Sequence, residues 1–431
     1  MKPLKPHEQI PKLLRASILQ VAKNRLIHKF YKDDKESRQR FYFPTLEGLE
    51  AILIPAIALK EARWPTLLSD FPELRTIVSE DIEHVLPLNT NTKKKEQGAP
   101  YFATGRRGST KYFWISECGA FTLSTLINIL TLSKLFPTAA PSFDNASLRK
   151  VIKQSVSDLL ACSVPQGGWS WSKGGKTADA WATWSVVETF TDYLEYNEEF
   201  DIKFPEISKV RSSLARTAEY LAAQLTWQSP DTIAGMWYEK VYETQRMKTR
   251  KEVKCAYSFV HTIISSSLLG LQNDKQFREL AALLFNSVER VKVKDVENLA
   301  KVASQDENID DYSYNPTLLR ALTSIYVEMD AEGRKDLRQK LDSSPISYIK
   351  KQFNTLMSDY IVTGEWAGLW GYHKNYEIYY TERTIEALVS LSKFLMSWEP
   401  RVSSWQIPQL KKVTIDELQA ALEKALTGVK L

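Results

Sequence analysis

Apolar positions recur at helical spacing along most of the chain. Ala180, Trp181, Trp184, Val187, Phe190 and Leu194 share one broad face of a helix. The same period predicts long helices over Trp114–Leu132, Ala178–Tyr196, Lys254–Leu271 and Glu377–Leu395. Second helices are predicted over Leu148–Cys162, Val210–Trp227 and Phe277–Val291. Near the N-terminus, Leu13, Leu14, Ile18, Val21, Leu26 and Ile27 make Ile10–Phe30 a basic amphipathic helix. Such a helix packs its apolar side on the domain and leaves a solvated basic face; a membrane or an acidic partner is the alternative surface for it. At the other end, Thr414-Ile415-Asp416-Glu417 has the capping-box pattern before a last short helix. No Asn-Gly or Asp-Gly turn separates alternating runs, so the pattern predicts an all-α fold with almost no strand.

The helices are organised by a repeat. Loops rich in glycine and aromatic residues precede the long apolar helices: YFATGRRGSTK from Tyr101, QGGWSWSKGGKT from Gln166, AGMWYEKVYE from Ala234 and GEWAGLWGYHKNY from Gly364. The anchors Tyr101, Trp169 and Trp237 are each 68 residues apart, and the last copy is anchored at Trp366. A degenerate copy falls at Asp311–Leu322. The unit is loop, helix, connector, helix, and the chain holds about six of them. Open solenoids use shorter repeats, of about 33–47 residues. The longer spacing points to an (α/α) toroid of about five to six helix pairs, a closed double ring of inner and outer helices. On this reading residues 1–42 form an N-terminal basic helix, 43–400 the toroid, and 401–431 a C-terminal tail with a short helix.

Composition narrows the class. Of 431 residues, 43% are hydrophobic and 11% aromatic, which excludes disordered and collagen-like chains. Three cysteines, Cys118, Cys162 and Cys255, cannot build a disulfide framework and suit a reducing compartment. The N-terminus lacks the apolar run of a signal peptide. The apolar stretches Ala51–Leu59 and Phe121–Leu132 fall short of the roughly 20 residues of a membrane span. The expectation is a soluble cytoplasmic protein.

Charge adds a functional expectation. The four loops carry net +3 (Tyr101–Trp114), +2 (Trp169–Thr177), +3 (Trp237–Lys254) and +1 (Trp366–Tyr376), against +5 for the whole chain. In a ring with parallel inner helices these loops gather at one end, beside helix N-termini that favour anions. The basic residues alternate with aromatics, a mixture suited to stacking or to holding a cation. The expected partner-binding residues are Arg106, Arg107, Lys111, Trp169, Trp171, Lys173, Lys176, Arg250, Lys251, Trp370 and His373. The competing reading is that the tryptophans anchor loops into the helices and the lysines are simply solvated.

Gln166-Gly167-Gly168-Trp169, in the setting SVPQGGWSW, resembles the glutamine–tryptophan repeat motif of squalene and terpene cyclases. The loop-then-helix pattern is similar to the repeats of protein prenyltransferase β subunits. Both belong to the α/α-toroid group, and the resemblance runs from about Phe43 to Met396. It implies the toroid architecture. Its chemistry is not matched: the cyclase Asp-x-Asp-Asp acid has no counterpart in Asp306-Glu307-Asn308-Ile309-Asp310-Asp311, whose Asp310–Asp311 pair reads as a solvated loop. The prenyltransferase zinc site would fall on Cys118, Asp179 and Cys255, with His373 from a later repeat, but its Asp-x-Cys pattern is missing. Buried structural cysteines are the alternative. No cofactor is therefore expected, and Asp179 is the catalytic candidate if the chain is an enzyme. Glycan hydrolysis by a carboxylate pair drawn from Asp179, Glu188, Asp192, Glu365, Glu377 and Glu382 is a further option. Walker, dinucleotide-fingerprint, zincin and nucleophile-elbow motifs are absent.

The sequence thus supports a recognition or scaffold subunit without matched catalytic motifs. It would hold a nucleic acid or an acidic protein surface at a basic aromatic rim. A place in a larger complex, such as a prokaryotic multi-component defence system, is compatible with this but rests on no motif. The alternative is a terpene cyclase-like or prenyltransferase-like enzyme acting on an isoprenoid diphosphate.

Overall fold

The structure is a computed structural model. It describes residues 6–32, 42–58, 71–90, 101–104, 111–114, 116–138, 144–176, 180–226, 275–288, 314–331, 344–361, 364–372, 375–376 and 378–402, and a few isolated positions. The described elements are overwhelmingly helical: α1 (Pro6–His28), α2 (Tyr42–Ala58), α3 (Glu73–Thr90), α4 (Ser116–Leu135), α5 (Asn145–Leu160), α6 (Ala180–Glu199), α7 (Ile207–Thr226), α8 (Lys275–Val288), α9 (Tyr314–Ala331), α10 (Ser344–Ser358) and α11 (Ile378–Val402). The expected all-α class is what these elements form. Two short antiparallel hairpins supply the little strand that the described residues contain, in keeping with the expectation of almost none. They are β1 (Tyr101–Thr104) with β2 (Lys111–Trp114), and β3 (Gly371–Tyr372) with β4 (Asn375–Tyr376). Both fall inside the aromatic loops; in the first, Phe102 is in register with Phe113.

The chain divides into two compact units. Residues 1–85, 128–143 and 313–431 form unit 1; residues 86–127 and 144–312 form unit 2. In unit 2, α7 packs on α5, α6 and α8. In unit 1, α11 packs on α1, α2 and α9, and α9 on α10. α1 and α2 therefore share one core with α11.

Two kinds of helix appear. Those that follow aromatic loops are buried around most of their circumference: every residue from Tyr380 to Ser392 in α11, and nearly every residue from Ala182 to Leu194 in α6. Connecting helices are one-sided. In α5, Leu148, Val151, Ile152, Val156 and Leu159 are buried while intervening residues such as Arg149, Lys150 and Lys153 are exposed. Asp144 caps α5, its side chain accepting from the Ala146 N–H at 3.0 Å. Of the described helices, α4 is long and apolar enough to cross a membrane (mean hydropathy 1.3), and 72% of that window is buried within the protein, as in a core helix.

The N-terminal helix departs from its sequence reading. It carries no continuous solvated basic face. Ile10, Leu13, Leu14, Ile18, Leu19 and Val21 are buried, and so are Ser17, Gln20, Asn24 and Arg25 on its polar side. Those polar groups are satisfied from within unit 1. Ser17 Oγ donates to Gly368 O at 2.9 Å, Gln20 Nε2 donates to Glu365 O, and the Asn24 amide both donates to Lys32 O and accepts from its N–H. The Arg25 Nε donates to Asp81 Oδ1 at 2.9 Å, and Nη2 to Glu80 Oε2 at 2.9 Å. Burial alone would lower the Arg25 pKa, but the neighbouring Asp81 carboxylate outweighs it and holds the guanidinium charged. Asp81 Oδ2 in turn accepts from the Tyr31 hydroxyl at 2.9 Å. The Tyr31 ring lies against Gly48 of α2, where a Cβ would come within 2.4 Å of it, so only glycine fits.

Removing one partner of a buried ion pair leaves an uncompensated charge. Asp81→Asn is therefore expected to destabilise the protein by about 3 kcal/mol. Glu80→Gln, on the 54% exposed flank of the same guanidinium, is expected to cost under about 1 kcal/mol. Urea denaturation of the two variants checks the contrast.

Candidate functional site

The loop that begins at Gln166 is built by its backbone. After α5, Ser170 N–H donates to Cys162 O at 3.0 Å and Val164 N–H to Gly168 O at 2.9 Å, pairing Ser163 with Trp169 across a tight turn. Gly167 and Gly168 sit at φ +123° and +82°, a region that disfavours other residues. A Cβ on Gly168 would lie 2.9 Å from both Ala178 Cβ and Thr183 Oγ1. The Gly168 N–H donates to Thr217 Oγ1 of α7 at 2.9 Å. The Trp169 N–H donates to Thr183 Oγ1, in the first turn of α6, at 2.9 Å, and that hydroxyl lies 3.4 Å from Trp169 O. The indole is fully buried. Its Nε1–H donates to Leu159 O at 3.0 Å, and its ring meets Phe190 edge-on at 5.8 Å. Ser116, at the start of α4, joins in through its N–H to Trp171 O at 3.0 Å and its hydroxyl to Ser170 O.

Unit 1 contains the same device. Tyr360 is paired with Trp370, and Trp370 N–H donates to Thr381 Oγ1 at 3.2 Å. That hydroxyl returns a bond to Trp370 O at 3.1 Å. Gly364 and Gly368 take φ +89° and +100°. Trp370, not Trp366, is thus the counterpart of Trp169, which corrects the anchor of the last repeat. Trp366 is half-buried and stacks on Tyr376 at 4.5 Å. The second loop is longer between its paired residues, Tyr360 and Trp370, than the first is between Ser163 and Trp169.

This geometry sorts the expected partner-binding residues. Trp169 and Trp370 are fully buried and act as loop anchors, so they offer no face to a partner. Trp171 is half-buried. Lys173 and Lys176 are exposed on the turn beyond it. The Lys173 Nζ lies 3.4 Å from the buried Asp158 Oδ1, which neutralises part of its charge. Lys111 occupies an end of the hairpin, paired with Thr104. Arg106, Arg107, Arg250, Lys251 and His373 lie outside the described residues, as do Asp179, Cys255, the loop at Ala234 and the capping box at Thr414. Cys118 and Cys162 are buried free thiols. Burial pushes the Cys162 thiol up, against a hydrogen bond from Ser116. Among the described residues no group of three or more His, Cys, Asp or Glu is arranged to hold a metal ion.

A second cluster, in unit 1, was legible in part. Of the carboxylates considered for a catalytic pair, Glu188 and Asp192 are half-buried, Glu365 is exposed, Glu377 lies outside the described residues, and Glu382 is 0% exposed. Glu382 of α11 is joined by Arg383 and Glu386 on its own helix, by Arg320 of α9 and by Glu47 and Glu50 of α2. All but Arg320 are buried. Glu386 Oε2 accepts from Arg383 Nη1 at 2.9 Å and Arg320 Nη1 at 3.0 Å. Burial alone would push Glu386 up, but these two guanidiniums outweigh it and hold its pKa below the usual range. Glu382 moves the other way. Burial, together with Glu386, Glu50 and Glu47, raises its pKa well above the usual carboxylate value, with Arg383 opposing. The sequence signal was a Glu-Arg-x-x-Glu run inside an otherwise apolar helix; nothing in the order of residues pointed to Glu47, Glu50 or Arg320.

Comparison with protein-family models finds no match, and comparison with curated proteins finds none either. The class that fold and site define is accordingly an all-α protein of packed helices, in which tryptophan-anchored loops precede the most buried ones.

The turn predicts a graded response to added methyl groups. Gly168→Ala combines a left-handed backbone with a steric clash and is expected to cost about 2–4 kcal/mol. Gly174→Ala, at φ +84° but with open space around it, carries the backbone penalty alone, about 1 kcal/mol. Thermal unfolding of both variants, with Gly168→Ala melting lower, is the check.

Proposed function

We propose that the protein is a helical recognition or scaffold protein that holds an acidic protein surface on the lysine tip of its tryptophan-anchored Cys162–Lys176 loop. The observation that carries this reading is the loop from Cys162 to Lys176. Its backbone is fixed by both glycines, Thr183 and Thr217, while Lys173 and Lys176 project into solvent. A rigid, positively charged tip loses little conformational entropy on binding and steers an acidic partner toward it. Burial of Trp169 and Trp370 favours a protein surface over nucleic acid, because single-stranded nucleic acid is held by stacking on exposed aromatic faces. The architecture proposed with this function is the double ring, in which deeply buried helices alternate with one-sided ones. Its support is the contrast of α6 and α11 with α5, and the recurrence of one loop geometry in both units.

The test is binding of a polyglutamate peptide, with single-stranded DNA as the competing probe, over a salt series. The expected result is salt-sensitive binding of the peptide, weakened about tenfold by the double charge reversal Lys173→Glu and Lys176→Glu. Binding that ignores both salt and the substitutions rejects the reading. Preferential capture of the DNA moves it to the nucleic-acid class.

A further inference from the structure

The tryptophan-anchored loop of unit 1 is longer than that of unit 2, and the added length carries side chains that the turn does not need. In the loop at Gln166 the turn closes with Gly167 N–H donating to Val164 O at 3.0 Å, and two residues, Pro165 and Gln166, stand between them. In the loop at Gly364 the matching bond runs from Gly368 N–H to Ile361 O at 2.8 Å, with six residues, 362–367, between. Glu365 and Trp366 lie in that wider span, yet both are held in place. Ser17 Oγ donates to Gly368 O at 2.9 Å, and Gln20 Nε2 donates to Glu365 O. The Trp366 ring stacks on the buried Tyr376 ring at 4.5 Å, and the His28 ring flanks it at 6.1 Å. His28 Nε2 lies 2.9 Å from Glu365 Oε1. An aromatic face beside a carboxylate suits an alkylammonium group: the ring attracts the charge and the oxygens accept its N–H bonds. One such group already stands there. Lys32 Nζ lies over the Trp366 ring, 5.4 Å from its centroid and 3.5 Å from Glu365 Oε1.

We propose that Glu365 and Trp366 form a binding site for a lysine side chain of another polypeptide, and that Lys32 occupies it as a displaceable stand-in. The platform is set without the Lys32 side chain, by the contacts from α1 and from Tyr376 just described. The Lys32 backbone is fixed separately, because Asn24 accepts from its N–H at 3.0 Å and donates to its carbonyl at 2.8 Å. The same Asn24 amide lies 3.3 Å from the Tyr376 hydroxyl. The stem of Lys32 is therefore anchored while its tip is weakly held. Its side chain is 35% exposed and that of Glu365 is 51% exposed. An ion pair so hydrated contributes little, and the entropy lost in ordering a lysine side chain offsets much of it. A preformed site with a weakly held occupant is open to exchange. The occupant also defines what fits: an ammonium on a four-carbon stem hung from a peptide backbone. This site takes a basic group and the Cys162–Lys176 loop an acidic one, so the two surfaces are independent.

Magnetic resonance of the tryptophan indole N–H groups in the full chain tests this, with the Trp366 signal assigned from its loss in Trp366→Phe. The probes are an end-capped alanine peptide with one central lysine and the same peptide with norleucine or glutamate there. The lysine peptide is expected to shift the Trp366 signal, and to bind about fivefold more tightly to Lys32→Ala, where the internal competitor is gone. That variant keeps both backbone bonds to Asn24, and unchanged signals from the other indoles check its fold. Adding Glu365→Gln to Lys32→Ala should reverse the gain. The norleucine and glutamate peptides should leave the Trp366 signal in place. Equal affinity of the native protein and Lys32→Ala, a shift produced by the norleucine peptide, or no shift with lysine overturns the site. If Lys32→Ala does not fold, Lys32→Gln, which keeps a stem and loses the charge, gives the same comparison. Polyglutamate binding reads the other loop, so each reading fails by its own measurement.

Discussion

A hydroxyl group in the first turn of a helix can satisfy a backbone that has just made a tight turn, and both tryptophan-anchored loops among the described residues depend on that bond. Thr183 holds the Trp169 N–H, and Thr381 holds both the N–H and the carbonyl of Trp370. A buried amide left unpaired would cost about 1–3 kcal/mol. The threonine therefore lets the tryptophan enter the interior, and the indole then fixes where the following helix begins. Glycine is required beside it because the chain must reverse within a residue or two of the buried ring. The motif is a folding device first, and its exposed lysines are consequences of where the turn has to stop.

The same requirement shapes the interior of unit 1. α1 is not stripped of polar groups to be buried. Instead Ser17, Gln20, Asn24 and Arg25 find partners on the Gly364–Gly368 loop, on Lys32 and on α3. These directed bonds set the register in which the N-terminal helix meets the C-terminal part of the chain, which apolar packing alone leaves loosely specified. The ring of Tyr31 against Gly48 adds a steric constraint on the approach of α2.

The carboxylates of α11 show how environment separates chemically identical groups. Glu382 and Glu386 lie one helical turn apart, both enclosed. Two guanidiniums bonded to one of them are enough to keep it ionised, while desolvation drives the other toward its neutral form. An apolar core would avoid the cost of this arrangement, so its presence is informative in a way that the surrounding leucines are not.

The sequence by itself determined the helical class, the extent of α4 to α8 to within three residues and the start of α11, and the presence of loops in which glycine and tryptophan must occur together. Hydrophobic period and glycine content are local properties, and they carry over into local structure. It did not determine which tryptophan of the last loop is the anchor, that aromatic loops pair as hairpins, or that α1 is buried on its polar side. Nor did it reveal that Glu47, Glu50, Arg320 and Glu382 belong to one cluster. Those outcomes depend on what a side chain meets from residues far away along the chain: Arg25 is 56 positions from Asp81, and Ser17 is 351 from Gly368. A charged residue on an apolar helix reads the same whether it faces water, a guanidinium or another acid. Only the tertiary structure supplies the neighbour, and the neighbour sets its charge.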